Sequence, residues 1–171
     1  CPMASTTVSA FLSTLRRSNL LSPEQMAAAN SIGTDSDAVG TARDLVKRGW
    51  ITEWQARQLL AGKSKLYLGK YKLLDVLGQG GMGAVLKAES TTLGRPVALK
   101  VLTKSISKND VAEARFLREI RYAGRLNHPN IVRAIDADRV GERAFLVMEY
   151  VEGCDLKKVL KNFGVIPENT N

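Results

Sequence analysis

Cysteine and histidine are nearly absent. The 171 residues contain two cysteines, Cys1 and Cys154, and one histidine. That inventory excludes a disulfide framework and a four-ligand zinc-type site. It fits a reducing compartment, so a cytoplasmic location is expected. Aromatic residues make up only 6% of the chain. No run approaches the roughly 18 apolar residues of a membrane span, and the N-terminus lacks the long apolar stretch of a signal peptide. Cys1-Pro2, ahead of Met3-Ala4-Ser5, reads as a remnant before a natural start.

The composition that remains, 44% hydrophobic and 25% charged, is that of a globular chain able to bury a core. Twenty-five Lys and Arg against 17 Asp and Glu give a net charge of +8. The excess is shared equally by residues 1–70 and 71–171, whereas a nucleic-acid surface concentrates it on one element. No nucleic-acid partner is expected, and a helix-turn-helix reading of residues 1–62 lacks a base-reading cluster. Arg115, Arg118, Arg121 and Arg125 do recur at helical spacing. They read first as the wet face of a helix and second as a docking face for an acidic partner.

Residues 1–62 read as a small helical domain. Val8, Phe11, Leu12 and Leu15 recur at i, i+3, i+4 and i+7, an amphipathic stripe. Ser22-Pro23-Glu24-Gln25 and Thr52-Glu53-Trp54-Gln55 each have the spacing of a capping box. A third helix starts near Asp35 or Asp37 and stops at Gly49, and Gly62 closes a fourth. Trp50 and Trp54 are expected in the core of this bundle. Gly62-Lys63-Ser64 resembles the end of a P-loop, but Arg57 stands where that motif needs its first glycine.

Residues 63–70 are expected to be a linker. Beyond them the apolar runs become short and β-branched, predicting strands at 71–78, 83–90, 95–102, 131–138 and 143–150 and one helix at about 109–126. The predicted fold class is α+β: a helical domain followed by a five-stranded antiparallel sheet with one packed helix.

Gly78-Gln79-Gly80-Gly81-Met82-Gly83-Ala84-Val85 fits G-x-G-x-x-G-x-V. Glycines there permit a tight turn and let backbone N–H groups approach a polyphosphate. A dinucleotide-binding turn would open a helix. Here a strand pattern and the turn Leu93-Gly94-Arg95-Pro96 follow, which predicts a hairpin. In Val97-Ala98-Leu99-Lys100 the period of two puts Ala98 and Lys100 on one face, a small residue beside a cation. In the helix, Phe116, Glu119, Ile120 and Ala123 share a stripe, so Glu119 is expected on the apolar face. An unpaired carboxylate there is costly, and Lys100 is its natural partner. Glu113, near the helix start, competes, but the helix dipole accounts for it.

Together with His128-Pro129-Asn130-Ile131-Val132 and Phe145-Leu146-Val147-Met148-Glu149-Tyr150-Val151-Glu152-Gly153, these pieces resemble the N-terminal lobe of a protein kinase, most closely the bacterial members of the eukaryotic-like Ser/Thr class. The resemblance covers about 71–163. It implies ATP as cofactor and a protein as substrate, with Lys100 on the α/β-phosphates and Glu119 holding it. It further implies the glycine loop (Gly78, Gly80, Gly83) over the phosphates and Leu77, Val85 and Ala98 as the roof of an adenine slot. Met148 stands at the back of that slot. The Glu149 carbonyl and Val151 amide meet the adenine edge, and Asp155 the ribose. His128 would be a structural turn residue.

Neither H-R-D nor D-F-G occurs, and the ligands of Mg2+ belong to those motifs. Asn162-Phe163-Gly164 and Pro167-Glu168-Asn169 are chance echoes. After a short helix expected at 155–162, the chain is read as truncated before the C-terminal lobe. The fragment alone is expected to be inactive, and no metal ligand is assigned in it. The alternative is a non-catalytic interaction or dimerisation module, or a pseudokinase scaffold. Such a module would self-associate through the helical domain or the exposed lobe surface.

Overall fold

A computed structural model describes residues 6–81, 83–102, 110–126, 128–153 and 160. The order of elements is α1 (Val8–Ser18), α2 (Pro23–Asp35), α3 (Ala38–Lys47), α4 (Glu53–Leu60), β1 (Tyr67–Leu68), β2 (Tyr71–Gly80), β3 (Gly83–Ser90), β4 (Arg95–Leu102), α5 (Asp110–Ala123), β5 (Ala134–Val140) and β6 (Arg143–Glu149).

Each bundle helix begins at a side-chain oxygen. Thr7, Ser22, Asp37 and Thr52 accept from the amides of Ala10, Gln25, Gly40 and Gln55, satisfying donors that the first turn leaves unpaired. In α2 and α4 the capping box is complete, the glutamine side chain accepting in return from the cap amide. Gly49 and Gly62 take φ of 70° and 75°, conformations that stop α3 and α4 without a Cβ penalty. Phe11, Leu15, Leu45 and Leu59 are fully buried at the bundle centre. Trp50 and Trp54 pack partly buried against it.

The sheet has six strands in the order β1-β2-β3-β4-β6-β5, every neighbouring pair antiparallel. The sixth strand is β1, inside the segment expected to be a linker. Its two residues pair with Tyr71 and Lys72. Leu66 is buried in the bundle core and Leu68 in the sheet core, so this segment joins the two rather than hanging free. A second difference concerns 131–138. Ile131 and Val132 are β-branched but exposed. The Ile131 amide donates to the His128 carbonyl at 3.0 Å in a turn, and the strand begins only at Ala134.

The period of two in β4 divides two cores. Val97, Leu99 and Val101 point to one face with Tyr71, Leu73, Ala88, Phe145 and Val147, and Trp54 of α4 packs there. Tyr71 and Phe145 meet edge to face, centroids 5.8 Å apart at 84°, worth about 1 kcal/mol beyond burial. Leu102 faces the other way and joins Ala144, Leu146 and Phe116 of α5, with Ile120 and Met148 at the margin. α4 therefore lies against one face of the sheet and α5 against the other. Among the described residues no helix is long and apolar enough to cross a membrane.

Candidate functional site

The glycine segment is a hairpin, as its flanking pattern predicts. β2 runs to Gly80 and β3 starts at Gly83, paired Gly78 with Val85, Gln79 with Ala84 and Gly80 with Gly83. The glycines divide by environment. Gly83 has φ of 150°, and a Cβ there would collide with the Val101 carbonyl oxygen. At Gly78, Gly80 and Gly81 a Cβ would meet nothing within 4 Å. The chain's own packing does not require glycine at those three positions. The absence of Cβ atoms there leaves the hairpin backbone open to close approach.

Register gathers the expected residues into two adjacent rungs. Val85 pairs with Gly78 on one side and Lys100 on the other, and Lys100 pairs with Leu146. In the next rung on the same face, Ala98 lies between Lys87 and Met148. Directly opposed residues stand about 5 Å apart. The rungs thus bring a glycine, a β-branched valine and a cation into line, beside a small residue and a methionine. Ala98 is buried, and Met148 is half-buried against the α5-side core.

Lys100 Nζ lies 3.3 Å from Glu119 Oε2. The distance agrees with the expected pair, but the pair is not buried. Glu119 was expected on a buried stripe, yet its side chain is 48% exposed and that of Lys100 36%. Phe116 is buried against the sheet and Ile120 only half-buried, which leaves Glu119 at the open edge of the contact. An ion pair this accessible contributes little to stability. It ties the ammonium to α5 at an exposed position rather than sealing a core.

Leu77 is the extra residue of a bulge between Val76 and Gly78 and is exposed. Glu149 ends β6. Its amide donates to the Arg133 carbonyl at 3.0 Å and its carboxylate accepts from the Arg133 amide at 2.8 Å. Val151 is 63% exposed. Asp155 and, Leu160 apart, the short helix expected at 155–162 lie outside the described residues. His128 Nδ1 accepts from the Asn130 amide at 3.1 Å, a turn contact in keeping with the role implied for it. Two features were not read from the sequence. Lys87 Nζ stands 4.2 Å from the centroid of Tyr150, tying the hairpin to the segment after β6. The cap of α4 reaches β2, as described below. Nothing in residue spacing signals either, because both depend on how distant strands align.

Among the described residues no three His, Cys, Asp or Glu side chains gather as a metal site. Arg115, Arg118, Arg121 and Arg125 are exposed on and just after α5. An open depression of about 530 Å³ lined by Val111, Ala114, Arg115, Arg118 and Arg121 shares no residue with the rungs around Lys100.

Comparison with known proteins agrees with this geometry. PknH, a serine/threonine-protein kinase of Mycobacterium tuberculosis (strain ATCC 25618 / H37Rv), is 47% identical over 96 residues, which are 56% of this chain and 15% of PknH. The serine/threonine-protein kinase pkn2 of Myxococcus xanthus is 42% identical over 102 residues, 60% of this chain and 12% of that protein. The crystal structure of the M. tuberculosis PknI kinase domain superposes with a TM-score of 0.50 at 31% identity, over 58% of this chain and 40% of that one. The chain thus spans less than a fifth of the length of these curated relatives. The model of the protein kinase domain family matches residues 71–171, and with its lysine, on the strand beside a glycine hairpin, paired to a helix glutamate the chain belongs to that family, in its bacterial serine/threonine branch, as an N-terminal lobe preceded by a helical bundle.

Proposed function

We propose that this chain is the nucleotide-binding part of an enzyme that transfers the γ-phosphoryl group of ATP to serine or threonine hydroxyls of proteins. One observation carries the reading: Lys100 Nζ is held 3.3 Å from Glu119 Oε2 in the same rung as Gly78 and Val85. The division into an accessory bundle (1–62), a connecting segment (63–70) and the lobe (71–171) belongs to the same proposal. Lys100 contributes a positive charge to the α/β-phosphates, and Glu119 fixes its direction. Gly78, Gly80 and Gly83 let the hairpin backbone close over those phosphates. Leu77, Val85 and Ala98 present an apolar roof to the adenine ring with Met148 behind it. The Glu149 carbonyl and Val151 amide supply the edge contacts, and Asp155 the ribose contact. No proton acceptor or Mg2+ ligand is assigned within the chain; those groups are proposed to come from a C-terminal lobe. The scarcity of cysteine supports a cytoplasmic site of action.

The test is titration of the purified chain with a fluorescent ATP analogue. Weak binding is expected, loosened roughly tenfold by Lys100→Met. Equal binding by both proteins would refute the assigned role of Lys100. Robust Mg2+-dependent ATP turnover by the chain alone, abolished by the same substitution, would refute the proposal that the catalytic groups lie elsewhere.

A second reading has its own observation. Leu77, Ile131, Val132 and Val151 are all exposed, and apolar surface of this kind favours association. A chain that stays monomeric by size exclusion across concentrations argues against a self-associating module.

A further inference from the structure

The capping box of α4 has a second job. Thr52 Oγ1 accepts from the Gln55 amide at 3.1 Å, and Gln55 Oε1 accepts from the Thr52 amide at 2.9 Å. Those bonds complete the helix start and leave each side chain one donor group to use. Both donate to β2. Thr52 Oγ1 donates to the Leu74 carbonyl at 2.6 Å, and Gln55 Nε2 to the Leu73 carbonyl at 2.6 Å. Gln55 is 1% exposed, so its amide cannot exchange this partner for water.

Consecutive carbonyls of a regular strand point to opposite edges. Leu73 and Leu74 reach the same helix end because β2 is bulged there. Leu73 pairs with Ala88 and Asp75 with Lys87, leaving Leu74 over. A bulge bends the strand and increases its twist, so whatever fixes the bulge fixes the direction of the strand beyond it. From Asp75 to Gly80 every residue of β2 is exposed. The hairpin carrying Gly78, Gly80 and Gly83 therefore projects from a base set by the β3 ladder and by α4. Leu74 lies four residues before Gly78, about 13 Å of extended chain.

We infer that Thr52 and Gln55 are positioning residues for the glycine hairpin: by holding the two carbonyls of the β2 bulge, the helical bundle sets where the hairpin stands over Lys100 and so tunes nucleotide affinity from outside the kinase lobe. The affinity half of this inference rests on the proposed nucleotide-binding role; the mechanical half does not.

Two substitutions separate positioning from helix stability. Thr52→Asp keeps a good capping group but removes the donor to Leu74, and Gln55→Met removes the donor to Leu73 without burying a charge, giving up only the reciprocal bond to the Thr52 amide. Amide hydrogen exchange of the 171-residue chain is followed by mass spectrometry, with far-UV circular dichroism for helix content and the ATP-analogue titration for affinity. In the double variant, helix content and exchange in α1–α3 stay at the parent level. Exchange across 76–80 and 83–86 rises about threefold to tenfold for each bond removed, and analogue binding weakens by at least threefold. Thr52→Ser, which retains the hydroxyl, restores parent behaviour. Unchanged exchange in the hairpin overturns the inference whatever the affinity does. A uniform rise across both bundle and sheet, in the double variant or in each single variant, also overturns it by showing that the bonds only hold the fold. Faster hairpin exchange with no analogue binding even by the parent chain upholds the mechanical link and refutes the nucleotide-binding reading instead.

Discussion

Gly83 and Gly78 look interchangeable in the motif, but the structure constrains them differently. An alanine at 83 would have to hold φ of 150° against the Val101 carbonyl. Gly83→Ala is expected to destabilise the chain by about 2–4 kcal/mol. Gly78→Ala adds a methyl to open space and should change stability by no more than about 0.5 kcal/mol while weakening ATP-analogue binding. Urea unfolding of both variants, set beside the titration, checks the contrast. Similar stability losses at the two positions would contradict it. Glu119 offers the same lesson for charge. The helical stripe pointed to the acid that meets Lys100, but it could not show that α5 would lie on the sheet with that side chain at the open edge.

The strand and helix ends carry most of what local chemistry can specify. Both capping boxes and the alternation of Val97, Leu99 and Val101 against Ala98 and Lys100 follow from spacing of two, three or four residues, and the structure has them. What β2 does is not local. Its Tyr71 meets Phe145 of β6 edge to face, on the side of the sheet against which Trp54 packs. Burial raises the Tyr71 phenol above its ordinary value of 10.0, with the Lys70 ammonium opposing the effect. Tyr67 of β1 is raised too, by burial and then by the Glu89 charge. The folded state thus keeps both phenols protonated where the unfolded chain has begun to lose its protons. Stability should hold below pH 10 and fall as pH rises past it, until the folded phenols themselves ionise. Urea midpoints measured from pH 8 to 11 test this, and Tyr71→Phe should make the fall shallower. A midpoint that rises above pH 10 would count against the assigned burial.

Bundle and sheet are joined by more than the chain between them. Trp54 packs against both cores, Leu66 is buried in the bundle, and the Leu73 amide donates to the Leu66 carbonyl at 2.9 Å. A wild-type chain built this way should unfold in one transition. Trp54→Ala is expected to cost about 2–4 kcal/mol and to split unfolding into two steps as bundle and sheet part. It should also speed tryptic cleavage at Lys63 and Lys65, which are already exposed. Calorimetry showing one unchanged transition in the variant would mean that the tryptophan does not couple the two units.

The residues alone were enough to read the helical start, the strand-rich remainder, the glycine hairpin and the lysine–glutamate pair, because each is written in short spacings or in a family pattern that orders them along the chain. Tertiary structure decided the rest. It made β1 out of an apparent linker, left Glu119 half in solvent, and turned two side chains that cap a helix toward carbonyls about twenty residues away. Those outcomes depend on which surfaces meet once the elements have formed. A hydrogen-bond donor left over after local pairing carries no sign in the sequence of which distant acceptor it will find.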